Sequence, residues 1–263
     1  MYQQKIRQLK QITLALVALS VTSMAYANDN HLTVERAYEE GWSYDRPELW
    51  GELEANKLCR IGKEQSPINI TRIANLMGDT GKLSLIDSYK PQDFLVRNNG
   101  HTMVFEVAGQ RNSKLYINGV PYSLIQFHYH TPSEHTVMSA HYPMEIQFVH
   151  QNAQGYLAVV SVLVNIGKHN ANVDRVISGL PPQLATNGVL RDFDVDALLP
   201  KDDSVYAYNG SLAEPPCTEG VQWFVKTTPI HADSKQIGAL SKMHGDNARP
   251  IQPQNEREVW LIK

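Results

Sequence analysis

The sequence predicts a mostly β protein, a single domain built on a large, mostly antiparallel sheet with small peripheral helices. Three observations carry this. Short segments rich in Val, Ile, Phe and Tyr recur along the chain. Turn residues separate many of them, and no repeat, low-complexity run or Gly/Ser linker divides the whole. All-β domains reach roughly 200–250 residues, so one domain accommodates the length.

Taken in order, the first 27 residues read as a secretory signal peptide. Lys5, Arg7 and Lys10 precede an apolar core from Ile12 to Val21, and Ala25-Tyr26-Ala27 supplies a small-residue cleavage pattern. The core is shorter than the ~20 residues a membrane span needs. The expectation is an exported protein, periplasmic or secreted, whose domain occupies residues 28–263. No later stretch is long and apolar enough to cross a bilayer. The leader holds three of the 24 basic residues and none of the 27 acidic ones, leaving 21 basic against 27 acidic residues. With no basic block, nucleic acid and a polybasic membrane anchor are both disfavoured as partners. Cys59 and Cys217 are the two cysteines. In an exported chain they read first as one disulfide, with two unpaired buried thiols as the alternative.

Strands are expected over Lys82–Ile86, Phe94–Arg97, Thr102–Val107, Lys114–Ile117, Tyr122–His130, Met144–Gln151, Tyr156–Val164, Val221–Thr227 and Val259–Ile262. Asn118-Gly119 suits a tight hairpin, because both of its residues accept positive φ. Tyr156–Val164 is almost continuously apolar, as a strand buried on both faces should be. Helices are expected at Asn172–Leu180, stopped by Pro181-Pro182, and at Ala232–Met243.

The chemistry starts at Gln126-Phe127-His128-Tyr129-His130. Strand side chains alternate, so His128 and His130 share a face about 7 Å apart, with Gln126 behind them. Two such imidazoles form two-thirds of a three-ligand zinc set, or else line a polar groove.

Several further stretches stand in a telling order: Trp42-Ser-Tyr44, Gln65-Ser-Pro-Ile-Asn-Ile70, Asn99-Gly-His101, Ser133-Glu-His-Thr-Val137, Met144-Glu-Ile-Gln-Phe-Val-His150, Gly210-Ser-Leu212 with Pro215-Pro216, and Asn247-Ala-Arg-Pro-Ile-Gln-Pro253. With the His pair, they make the chain resemble the α-class carbonic anhydrases over most of its length after the leader. The resemblance implies a twisted, largely antiparallel sheet of about ten strands and a conical cavity leading to Zn2+. It also implies a Cys59–Cys217 bridge. It assigns His128 and His130 as metal ligands and His101 as the proton shuttle. Gln126, Glu145 and Asn247 become residues that orient ligands. Val149, Val159, Leu212, Val221 and Trp223 become the apolar wall that holds carbon dioxide.

Two positions depart from that pattern. The third imidazole should stand two residues after Glu145, where this chain has Gln147. His150 lies on the opposite strand face and cannot replace it without a register slip. Gln147 can instead offer a neutral amide oxygen while its NH2 donates to Glu145, a weaker and harder donor for zinc. The second departure is Ala213, where the family has a Thr whose hydroxyl links the zinc-activated water to a buried Glu, matched by Glu134. Glu134 should lose that partner. Beside it, Glu214 reads either as a solvated carboxylate on the cavity rim or as one that reaches the metal or its water. His135 is expected in a structural network; His31, His141, His169, His231 and His244 are expected at the surface.

The first functional expectation is therefore zinc-dependent, reversible hydration of carbon dioxide to bicarbonate and a proton, at reduced rate. The second is a catalytically impaired relative with a binding or structural role. A third, zinc buffering, would need tighter metal binding than Gln147 suggests.

Overall fold

Alternation of apolar side chains on long strands dictates a sheet with two buried faces, and that is what forms. The computed structural model describes residues 42–71, 84–183 and 186–263. The expected leader, His31 and the start of the Lys82–Ile86 segment lie outside them. In chain order the strands are β1 (Asn69–Ile70), β2 (Leu85–Ser88), β3 (Gln92–Asn98), β4 (Met103–Val107), β5 (Lys114–Ile117), β6 (Val120–His130), β7 (Thr136–Val137), β8 (Ala140–His141), β9 (Met144–Gln151), β10 (Leu157–Ile166), β11 (Gly188–Phe193), β12 (Val205–Ser211), β13 (Glu219–Lys226), β14 (Ile230–Ala232) and β15 (Trp260–Ile262).

Twelve strands among the described residues form one sheet, ordered β11-β3-β4-β6-β9-β10-β13-β12-β15, with β5 and β2 added beside β6 and β14 beside β10. Pairing is antiparallel except where β10 meets β13 and β14. A small second sheet joins β1, β7 and β8. The expected architecture is present, with a few more strands than expected. β11 and β12 lay outside the sequence reading, because Gly188–Phe193 and Val205–Ser211 mix charged, Gly and apolar residues without clear alternation.

The Asn118-Gly119 hairpin forms, with φ of 52° and 78° and Ile117 opposite Val120. Among the described residues, three short α-helices lie outside the sheet: α1 (Leu58–Ile61), α2 (Ala171–Ser178) and α3 (Ser234–Ser241). α2 starts one residue before the expected Asn172 and stops before the expected Leu180, and α3 is shorter than the expected Ala232–Met243 at both ends. Asn170 caps α2 through its side chain, and Asp233 with Gln236 closes α3 in a capping box.

The sheet separates two apolar clusters. Phe127, Tyr129, Met144, Ile146, Phe148, Val160 and Val162 belong to one; Val149, Val159, Val221, Trp223 and Val225 belong to the other. β10 contributes to both, as its continuous apolar run anticipated. Phe127 anchors the His-bearing strand from behind, stacked on Phe105 at 4.4 Å and edge-on to Phe94 at 5.1 Å. Each such pair adds ~0.5–1.5 kcal/mol beyond burial. This packing holds the register of β6, and with it the face that the histidines occupy.

Cys59 and Cys217 are bonded across 158 residues. The bridge ties α1 to the turn that follows β12, three residues beyond Glu214. Replacing both cysteines with Ser should lower unfolding free energy by ~2–4 kcal/mol, through the freed loop entropy of the unfolded chain. Urea denaturation with and without reductant checks this, and an unchanged midpoint would contradict it.

Candidate metal centre

Period-two alternation on neighbouring strands delivers a polar cluster to one sheet face. β6 presents Gln126, His128 and His130, β9 presents Glu145, Gln147 and Val149, and β10 presents Val159 and Ser161. The register sets His128 opposite Gln147, His130 opposite Glu145 and Gln147 opposite Ser161.

Both imidazoles are held from behind. His128 Nδ1 lies 2.9 Å from Gln126 Oε1, and His130 Nδ1 lies 2.6 Å from the main-chain carbonyl of Asn247. These oxygens only accept, so each Nδ1 carries the proton and each neutral ring keeps its lone pair on Nε2. Asn247 thus meets His130 through its backbone, while its side chain bonds the main chain of Tyr129, Thr131 and His101. His130 Nε2 is buried without a hydrogen-bond partner, and Glu134 Oε2 stands 3.5 Å from it.

The Gln147 nitrogen donates to Glu134 Oε2 at 2.8 Å and to Glu145 Oε1 at 3.1 Å. Its amide oxygen is then the atom left to meet the His128 ring. The bond to Glu145 was expected from the sequence; the shorter one to Glu134 was not. It gives Glu134 a donor in the absence of the Thr hydroxyl at Ala213. The Arg249 main-chain N–H supplies a second donor at 2.9 Å. Glu145 in turn accepts from the His135 main-chain N–H and ring, both at 2.8 Å, and from Ser161 Oγ at 2.7 Å.

Glu214 is 9% exposed and accepts from the Tyr44 hydroxyl at 3.1 Å, so the solvated-rim reading is corrected. The turn after β12 folds it inward, and candidate ligand atoms of His128, His130 and Glu214 all lie within 4.8 Å of one another.

Burial sets the electrostatics of the cluster. It pulls the His128 imidazole down to about 3, helped by neighbouring His130. It pulls on His130 as well, but the Glu134, Glu214 and Glu145 carboxylates with the Asn247 carbonyl carry that ring above the usual His range. Burial pushes Glu214 up to about 7 against the opposing pull of His130. Glu145 falls to about 2, since His135 and Ser161 together outweigh its burial.

His101 is half-buried, stacked on Trp42 at 3.6 Å and 8°, and its ring is pulled down by burial. The Tyr44 ring packs edge-on against both His101 and His130, at 6.4 Å and 6.2 Å. Val149, Val159, Ala213, Val221 and Trp223 are buried in one cluster, with Leu212 packed against it. His135 sits in the expected network, its Nε2 2.6 Å from the Tyr208 hydroxyl. His141, His169 and His231 are exposed as expected. His244 is not: it is partly buried, and burial brings it to about 4.

Tyr44, Ser161, Tyr208 and Arg249 were not singled out for these contacts. Ser161 carries a usable signal, as the one hydroxyl inside the apolar run of β10. The others act across 73 to 170 residues of sequence and give no local sign.

Comparison with known proteins agrees with this fold. The family profile described as "Eukaryotic-type carbonic anhydrase" matches residues 45–263. A carbonic anhydrase of Neisseria gonorrhoeae is 38% identical over 259 residues, covering 96% of this chain and 97% of its own. One from Klebsiella pneumoniae is 40% identical over 225 residues, covering 83% and 89%. The solved α-carbonic anhydrase of Thermovibrio ammonificans, in complex with the inhibitor sulfanilamide, superposes with a TM-score of 0.78 at 36% identity, over 84% of this chain and 98% of its own. The chain belongs to the α-class carbonic anhydrase family, whose general reaction is hydration of carbon dioxide.

The titrations above fix how stability responds to acid. Glu145 is depressed in the folded state, so its contribution is complete above its unfolded value and is lost as pH falls toward about 2. His128 and the buried His150, brought to about 3 and about 4, resist the proton that the unfolded chain takes up below its ordinary His value. The raised Glu214 and His130 oppose this, because the folded chain takes up their protons first. With His128, His150 and His244 all lowered, the three outweigh the two, and unfolding free energy of the metal-free protein should fall as pH drops from 6.5 to 4. A flat profile between pH 6.5 and 4 in urea titrations would contradict neutral burial of these histidines.

Proposed function

We propose that this protein is an exported, zinc-dependent enzyme that interconverts carbon dioxide with bicarbonate and a proton, at a lower rate than a relative carrying a third imidazole. One observation carries the reading. The hydrogen-bond frame uses both Nδ1 atoms and the whole Gln147 NH2, turns the Gln147 amide oxygen toward the His128 ring, and leaves His130 Nε2 buried without a hydrogen-bond partner. Two imidazole Nε2 atoms beside an amide oxygen suit a divalent cation, which would satisfy that nitrogen.

Zinc at these atoms supplies acidification of water and a positive charge for an anionic product. The residues of the chain do the rest. Gln126 and the Asn247 carbonyl orient the imidazoles, and Glu134 with Glu145 holds the Gln147 carboxamide. Val149, Val159, Leu212, Val221 and Trp223 supply a dry apolar wall for an uncharged substrate. His101, stacked on Trp42, exchanges the proton with buffer; an imidazole suits this because it both takes up and releases a proton, and burial eases the release. Ala213 lacks the hydroxyl that would align water, which costs ~1–3 kcal/mol, or roughly one to two decades in rate. The disulfide supports export, since such bonds persist in oxidising compartments. Among the described residues no helix is long and apolar enough to cross a membrane.

Stopped-flow hydration by the zinc-replete protein tests the proposal. Turnover above buffer is expected, and the double variant Gln147→His, Ala213→Thr should exceed it by at least about tenfold. A zinc-replete protein no faster than buffer would leave the binding or structural role instead. A double variant without gain would refute the roles given to positions 147 and 213.

A further inference from the structure

The family pattern leaves Glu214 without a role, yet this carboxylate is folded into the site beside Glu134 and Glu145. We propose that Glu214 is itself a metal ligand, so that the cation is gripped by two imidazoles and a carboxylate, with the Gln147 carboxamide as the weakest member of the set. This rests on the proposed metal site and adds to it the residue that compensates for the missing imidazole.

The geometry points to Glu214 by several independent routes. Its ligand oxygen and those of the two histidines fall within 4.8 Å of one another. A tetrahedral site with bonds of ~2.0–2.2 Å needs its donors about 3.3–3.6 Å apart, so these atoms would have to draw together by no more than about 1.5 Å around an ion. Tyr44 donates to Oε1 and so braces the carboxylate in the site. The structure provides His130 Nε2, a buried nitrogen with no hydrogen-bond partner, on the same site. Of the other two carboxylates nearby, Glu134 is committed to Gln147 and Arg249, and Glu145 to His135, Ser161 and Gln147. Glu214 is the carboxylate that, among the described residues, accepts a hydrogen bond only at Oε1, from Tyr44.

Charge explains why this matters. A site of two imidazoles and one amide is neutral, and the amide is a poor zinc donor. An anionic oxygen adds a full charge to the donor set, and two His with one Glu is an established zinc combination. A carboxylate lost by substitution should therefore weaken binding more than an amide lost at Gln147. With Glu214 bound, a fourth donor position is filled by protein, and the neutral carboxamide is the one that yields to water most readily.

The test is metal affinity, measured by chelator competition for Zn2+ and by the visible spectrum of the Co2+ form, on the full chain with its disulfide intact. Wild-type protein should bind one ion. Glu214→Gln should lose more than about 100-fold in affinity, beyond the ~10–100-fold typical of residues that only orient ligands. It should also change the Co2+ band positions. Gln147→Ala should lose less than Glu214→Gln. Tyr44→Phe leaves the carboxylate in place but unbraced, and should lose about tenfold, which keeps the proposal testable if Glu214→Gln fails to fold. If wild-type protein binds no ion, the metal site itself falls. If it binds and Glu214→Gln binds equally well with an unchanged spectrum, or Gln147→Ala is the more damaging change, the site stands and the role of Glu214 is overturned.

Discussion

The rest of the site depends on one short contact: the Gln147 carboxamide nitrogen shared between Glu134 and Glu145. A carboxamide has one donating and one accepting end. Two buried carboxylates claim the donating end, so the accepting end turns toward His128. The histidines are oriented by the same logic, each giving its Nδ1 proton to an oxygen behind it. Reversing any one of these bonds would place a proton inside the cluster and remove a metal donor. Glu134 is satisfied without any side-chain hydroxyl at Ala213, because Gln147 and the Arg249 main-chain N–H donate to it.

That frame is rigid because of what lies beneath it. β6 and β9 each alternate between the site and an apolar cluster built around Phe127 and Phe148, and β10 packs both faces. A slip of one residue would exchange histidines for phenylalanines, so the core enforces the polarity of the site. The disulfide and the turn after β12 then bring Glu214 against the histidines from a different part of the chain.

Much of this was legible in the sequence, and the reasons are local. The period of two in Gln126–His130 and in Glu145–Val149 fixes which side chains share a face, and that is enough to pair His128 with Gln147 and to exclude His150. Asn118-Gly119 announces its hairpin, and Tyr156–Val164 its burial, except at Tyr156 itself, which is exposed. What stayed hidden is long-range or irregular. β11 and β12 lack alternation, and the inward fold of Glu214 depends on Tyr44, 170 residues away. The bond from Gln147 to Glu134 required knowing that two carboxylates compete for one amide, which no spacing reveals.

The central claim is that the unprotonated atoms of this frame converge on a cation. Anomalous diffraction at the zinc edge, from crystals of the protein grown with zinc, measures this most directly. A peak within bonding distance of Nε2 of both His128 and His130 is the result expected. A peak elsewhere, or an empty pocket with the Gln147 oxygen turned away from the histidines, would contradict the account.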